Sequence, residues 1–190
     1  MGLTQTTAPT SEPVTLEEAR AWIREEEHYE DDRILALISA GRDYVERVTA
    51  RQIVTATWKL TQSTLSGVLE LPHPPLQSVS SITYVDSAGA TQTVSASVYD
   101  VFADTEPGRV VEAANQTWPA DVRGNEEDVA ITFVAGYTAA TVPAILKQAV
   151  LVLVAHWFDL RTPVHIGATP SDIPLSFESL VWAYRAKDFA

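Results

Sequence analysis

Cysteine is absent from this sequence. With it go disulfides, thiolate nucleophiles, iron–sulfur clusters and every zinc site built on Cys. Cations are scarce: Lys+Arg 13 stand against Asp+Glu 25, a net charge of −12. Affinity for nucleic acid comes largely from Lys and Arg neutralising phosphates, so a general DNA or RNA binder is disfavoured. The same deficit argues against an anionic membrane surface. No apolar run is long enough to span a bilayer, which needs about 20 residues; the longest is Ala149–Phe158. Met1–Pro13 is rich in Thr, Ser and Pro, without the basic start and apolar stretch of a signal peptide. What is present is an acidic, water-soluble composition, 46% hydrophobic over 190 residues. That length suits one good-sized domain, or a core with one inserted subdomain.

Residues 1–12 read as a flexible N-terminal arm. Thr15-Leu-Glu-Glu18 is a capping box, and Leu16, Ala19 and Ile23 follow with helical spacing. After the hydrophilic stretch Glu25–Asp32, a second helix carries Ile34, Ile38, Gly41, Val45 and Val48 on one face. From Ile53 the period changes to two. Strands are expected over Thr55–Thr61, Val68–Leu71, Val79–Val85, Ala90–Val94, Val98–Phe102, Arg109–Glu112 and Val129–Val134, with turns at Asp86–Gly89 and Pro107-Gly108. Pro143 opens a third helix running to about Arg161, apolar on most of its circumference and therefore buried. Phe177, Leu180, Val181 and Tyr184 make the stripe of a fourth. The expected fold is α+β: a small bundle of four main helices (13–52 plus 140–185) with an antiparallel β subdomain (53–139) inserted between helices 2 and 3, and a C-terminal tail at 186–190.

The search for chemistry finds little. There is no G-x-S-x-G elbow, phosphate loop, dinucleotide fingerprint or H-E-x-x-H helix. Glu25 and His28 have the E-x-x-H spacing of carboxylate-bridged metal sites, but such sites need two pairs and only one is present. His73 reads as a turn residue among prolines, His156 as a core or interface residue, and His165 lies in a loop. Asp100, Asp104 and Glu106 cluster in the β region, where carboxylates are usually solvated. No catalytic residue, metal or cofactor is expected. Assembly features remain: the apolar third helix, an aromatic C-terminal stripe, and Trp58, Trp118, Trp157 and Trp182. A hydrolase using β-region carboxylates, or a module binding a host or tail protein, are the rival readings.

The order of segments resembles the head–tail connector proteins of tailed phages, also called adaptor or head-completion proteins, and their relatives in gene transfer agents. The resemblance rests on Pro13-Val-Thr-Leu-Glu-Glu-Ala19, Ala40-Gly-Arg-Asp-Tyr-Val-Glu46 and Leu71-Pro-His-Pro-Pro-Leu-Gln-Ser-Val79. It continues through Ile82-Thr-Tyr-Val-Asp86, Glu106-Pro-Gly-Arg-Val110, Trp118-Pro119, Phe133-Val-Ala-Gly-Tyr137 and Val142–Ala149 leading into His156-Trp157. No single piece is specific; the ordered series is.

The resemblance implies a ring, usually of twelve copies, in the virion neck, assembled in the host cytoplasm. It would sit beneath the portal, extend the channel for double-stranded DNA and offer a platform to the next tail or stopper protein, with no membrane involved. By position, Phe177, Leu180, Val181, Tyr184, Arg185 and Phe189 become the candidate portal contacts. Ring contacts need two different complementary patches. Arg33, Arg42, Arg47, Arg51 and Trp157 are the candidates on one side. The acidic stretch Glu25, Glu26, Glu27, Glu30, Asp31 and Asp32 is the candidate channel-facing group, repelling the duplex rather than holding it.

Overall fold

The computed structural model of the chain describes residues 1–26, 28–160 and 175–186. The order of elements is β1 (Gly2–Thr7), α1 (Leu16–Ile23), a 3-10 turn (His28–Glu30), α2 (Asp31–Thr49), β2 (Ala56–Gln62), β3 (Leu69–Leu71), β4 (Leu76–Val85), β5 (Thr91–Thr93), β6 (Tyr99–Phe102), β7 (Gly108–Glu112), β8 (Val129–Ala135), α3 (Ala144–Asp159) and α4 (Leu175–Trp182). Contacts divide the chain into a β unit, with Met1–Thr10 and Thr55–Tyr137, and a helical unit, with Ser11–Val54 and Thr138–Arg185.

In the β unit, one antiparallel sheet has the order β1-β2-β8-β4-β5 and a second has β3-β7-β6. Strand β8 sits at the centre because it alternates strictly: Val129, Ile131, Phe133 and Ala135 are buried, while Ala130, Thr132 and Val134 are half-buried on the other face. The inward residues join Leu60, Ile82 and Tyr84 of the same sheet, Leu69, Leu71 and Val110 of the other, and Trp118 in one core. Trp118 is anchored by its indole N–H on the Gly67 carbonyl at 3.1 Å. Asp86 makes the hairpin between β4 and β5: its Oδ1 accepts from the N–H groups of Ala88 and Ala90, and its Oδ2 from Gln92. Gly108 begins β7 against Leu76, where an added Cβ would lie 2.6 Å from Leu76 Cβ.

This corrects the expected architecture of a helical bundle with a β insertion. Among the described residues, eight strands in two sheets carry the main core, so the strands are no appendage. Nor is the β unit a continuous insertion between α2 and α3, because its first strand precedes α1. Gly2–Thr7, expected as a loose arm, pair with Thr57–Thr61 of β2. The physical reason is long-range pairing: a Thr- and Gln-rich strand has no apolar alternation of its own, and β2 supplies its hydrogen-bond partners.

In the helical unit, the Thr15 capping box forms as expected: Thr15 Oγ1 accepts from the Glu18 N–H at 3.1 Å, and Thr15 N–H donates to Glu18 Oε2 at 2.8 Å. Helix α1 stops where Arg24 turns left-handed, and α2 where Ala50 does the same. The first turn of α2 holds Asp31 and Asp32, favourable at the positive end of the helix dipole. Ile34, Ile38 and Val45 of α2 are buried, as are Leu146, Ala149, Val150, Leu153 and Val154 of α3. Gly41 lets the two helices approach: a Cβ there would meet Val150 Cγ1 at 3.3 Å.

Candidate interaction surfaces

Helix α2 exposes its cations less than its sequence suggests. Arg42 is buried at 8% exposure. Its Nε donates to Glu12 Oε2 at 2.7 Å, Nη1 to Glu46 Oε2 at 3.3 Å, and Nη2 to Ser39 Oγ at 3.2 Å. Asp43 Oδ1 adds an ion pair at 2.7 Å. Burial works against the Arg42 charge, yet the surrounding carboxylates outweigh it and hold its pKa above the ordinary value. Glu46 also accepts from Gln52 Nε2 at 2.6 Å and from the Ile53 N–H at 2.9 Å. Burial nevertheless pushes its carboxyl upward, with the Ile53 and Val54 N–H groups and Arg42 pulling the other way.

Arg33 donates to Glu30 and to the Phe158 carbonyl, and its guanidinium lies 4.8 Å from the Phe158 ring centroid. Arg51 is buried, donating to the Tyr184 carbonyl while its guanidinium sits over the Tyr184 ring. Trp157 is half-buried, edge-on to Tyr44 at 6.0 Å. Of the five candidate ring residues, only Arg47 stands exposed.

Helix α4 is divided in the same way. Phe177 and Val181 are buried, with Phe177 5.6 Å from the Tyr44 ring. Leu180 and Tyr184 are half-buried; Arg185 is exposed, with Nε donating to the Val48 carbonyl at 3.2 Å. Trp182, which the portal-contact assignment passed over, is 73% exposed. It borders a hollow of about 190 Å³ with Val48, Glu178, Val181 and Arg185. Phe189 lies outside the described residues.

The acidic stretch is partly neutralised from within. Arg20, also missed by the sequence reading, places Nε 3.4 Å from Asp31 Oδ1, Nη2 3.1 Å from the Glu26 carbonyl and Nη1 2.6 Å from His28 Nδ1. Glu30 receives Arg33. Glu25 is half-buried, and the exposed carboxylates of the segment are Glu26 and Asp32. Glu27, His165 and the loop 162–173 lie outside the described residues.

Several of the remaining ionisable groups have partners within the β unit. His73 stacks on Trp58 at 4.4 Å. Asp128 pairs with Arg123 and accepts the Asn125 N–H, and Asp86 closes its hairpin; these bonds hold both carboxyls below the ordinary range. Asp100 and Asp104 are exposed. A groove of about 700 Å³ beside β1 is lined by Leu3, Leu60, Val68, Leu69 and Glu70 among others, and Glu70 pairs with Arg109. Among the described residues, no three His, Asp or Glu gather as a metal site.

Comparison with known proteins gives these surfaces a context. The head completion protein family matches residues 12–168. A chain in the neck of an empty gene transfer agent particle, computed with C6 symmetry, is similar over 100% of this chain and 98% of its own length, with TM-score 0.80 and 25% identity. A chain in the native gene transfer agent virion is similar over the same shares, at TM-score 0.78 and 25% identity. One in the native neck computed with C12 symmetry covers the same shares at 0.74 and 26%. No curated protein matches. Fold and likeness together define a structural head–tail connector subunit of a phage-like particle. The chain belongs to the head completion protein family.

Proposed function

We propose that this chain is one of about twelve copies in a ring at the neck of a phage-like particle. The ring joins the portal above to a tail or stopper protein below and leaves the DNA channel open, without enzymatic turnover. The observation that carries this reading is full-length likeness to neck subunits in assemblies of C6 and C12 symmetry. Charge supports the conduit role. Twelve copies at −12 each would carry −144, so a lumen lined by some of those carboxylates repels phosphate instead of binding it. In this arrangement Glu26 and Asp32 are the channel-facing carboxylates of the acidic segment, and Arg47 is the α2 cation available to a neighbour. The portal is met by the exposed end of α4, with Trp182 and Arg185 around their hollow, while Phe177 and Val181 support it from below.

Electron microscopy of the protein mixed with its cognate portal tests the reading. A ring of added density coaxial with the portal is the expected result. A portal that stays bare at micromolar protein, or scattered single copies without a ring, would overturn it.

A further inference from the structure

The outer face of the five-stranded sheet is unlike the rest of this chain. Its five strands contain one charged side chain, Lys59, in a protein with 25 Asp and Glu. The register places Thr61, Ala130, Thr83 and Thr93 in one row across the sheet, and Lys59, Thr132 and Ser81 in the next. Strand neighbours of these residues, Leu60, Ile131 and Ile82, point into the core, so both rows belong to the opposite face. Thr is a good strand former, which accounts for the hydroxyls. It does not account for the absence of Glu and Asp and the presence of a single Lys, since solvated faces of antiparallel sheets ordinarily carry more charge. At one corner of the sheet, Glu127 Oε1 lies 3.8 Å from where a Cβ on Gly2 would stand.

We propose that this face is where one copy of the chain seats against the next, an inference that rests on the ring reading above. The argument for a second copy, and not a different protein, is electrostatic. Identical subunits at −12 repel one another wherever unpaired carboxylates meet, and a face without carboxylates avoids that repulsion. A partner of another composition imposes no such condition. Lys59, the lone cation, then meets a carboxylate on the neighbour's different, complementary patch, as a head-to-tail ring requires. Size is adequate. Five strands about 4.8 Å apart and about seven residues long at about 3.4 Å each give a footprint of roughly 550 Å². That is most of the about 800 Å² that a standard interface takes from each partner.

The absence of native Cys makes a single introduced thiol specific. T93C and A114C, the latter on an exposed loop, would each be labelled with maleimide–benzophenone and photolysed with and without portal. T93C is expected to give a chain–chain adduct only when rings form, and to react with free maleimide at least ten-fold more slowly in the ring; A114C should do neither. A chain–portal adduct from T93C, or equal labelling in ring and free protein, overturns the proposal. The variant T83E/T132E, with its fold checked by circular dichroism, should lose at least ten-fold in ring occupancy, while A114E/Q116E, of the same added charge on the exposed loop, assembles normally. Rings from folded T83E/T132E at the wild-type level would also refute it. If wild type and A114E/Q116E form no ring either, the ring reading itself has failed.

Discussion

Replacing Arg42 by Met should reveal how much of the helical unit hangs on one guanidinium. The Met side chain keeps most of the apolar stem and removes every donor, so Glu12 loses its bond at 2.7 Å and Glu46 loses the cation at 3.3 Å. Breaking a fully buried ion pair costs about 3–5 kcal/mol, because the remaining charge is stranded. Here Glu12 is 30% exposed and Asp43 61%, so water recovers part of the loss. A cost of about 2–3 kcal/mol is reasonable after that discount. For a chain of this size each kcal/mol moves Tm by about 2–4 °C, giving a fall of about 4–12 °C. Thermal melts followed by circular dichroism at pH 7 measure it. Glu12→Gln, which leaves Glu46 in place, should lose less than about 1 kcal/mol. An Arg42→Met protein melting within 1 °C of wild type would refute the claim that this network is a buried anchor.

Further predictions follow from packing and titration. Gly108→Ala forces a Cβ into Leu76 and should destabilise the β unit by about 1–3 kcal/mol in denaturant melts. Phe177→Ala removes a ring that is 1% exposed and should cost about 3–5 kcal/mol. Trp182→Ala should change stability by less than about 0.5 kcal/mol, yet weaken portal attachment in co-sedimentation. Glu46 binds its proton more tightly folded than unfolded, so its contribution is fully present below its usual 4.5 and is lost as pH rises through the raised value. The stability of wild type relative to Glu46→Gln should therefore decline with pH across that window. Asp86 and Asp128 have the opposite sign: their contribution is present above the usual 3.8 and lost on acidification through their lowered values. Asp128→Asn should flatten that acid limb.

Local signals were the readable ones. The Thr15 capping box, the α2 stripe, the third helix itself, the Asp86–Gly89 hairpin and the alternation of β8 each depend on residues close in sequence, and the structure contains them all, though α3 buries one face and leaves Ile145, Val152 and Trp157 half-buried. Strand β1 was not readable, since its partner lies more than fifty residues away and it has no apolar alternation. The expected arm gave way to a strand for that reason, and the bundle-with-insertion gave way because the two sheets carry the main core. The surfaces were less legible still. Arg42, Arg33 and Arg51 read as docking cations because lone cations usually face water, but Glu12, the Phe158 carbonyl and Tyr184 come from distant positions to meet them. One signal was available: Arg42 and Glu46 stand at i,i+4. The stripe Phe177–Tyr184 could equally be core or docking surface, and burial divides it. Function was carried by the ordered series of short segments, which no periodicity contains.

The most direct test of the account is a cryo-EM reconstruction of the neck of the particle that contains this chain. The account predicts a closed ring of this fold between portal and tail, with Trp182 toward the portal and a continuous axial channel. Copies found elsewhere on the particle, or a neck closed by other proteins alone, would contradict it.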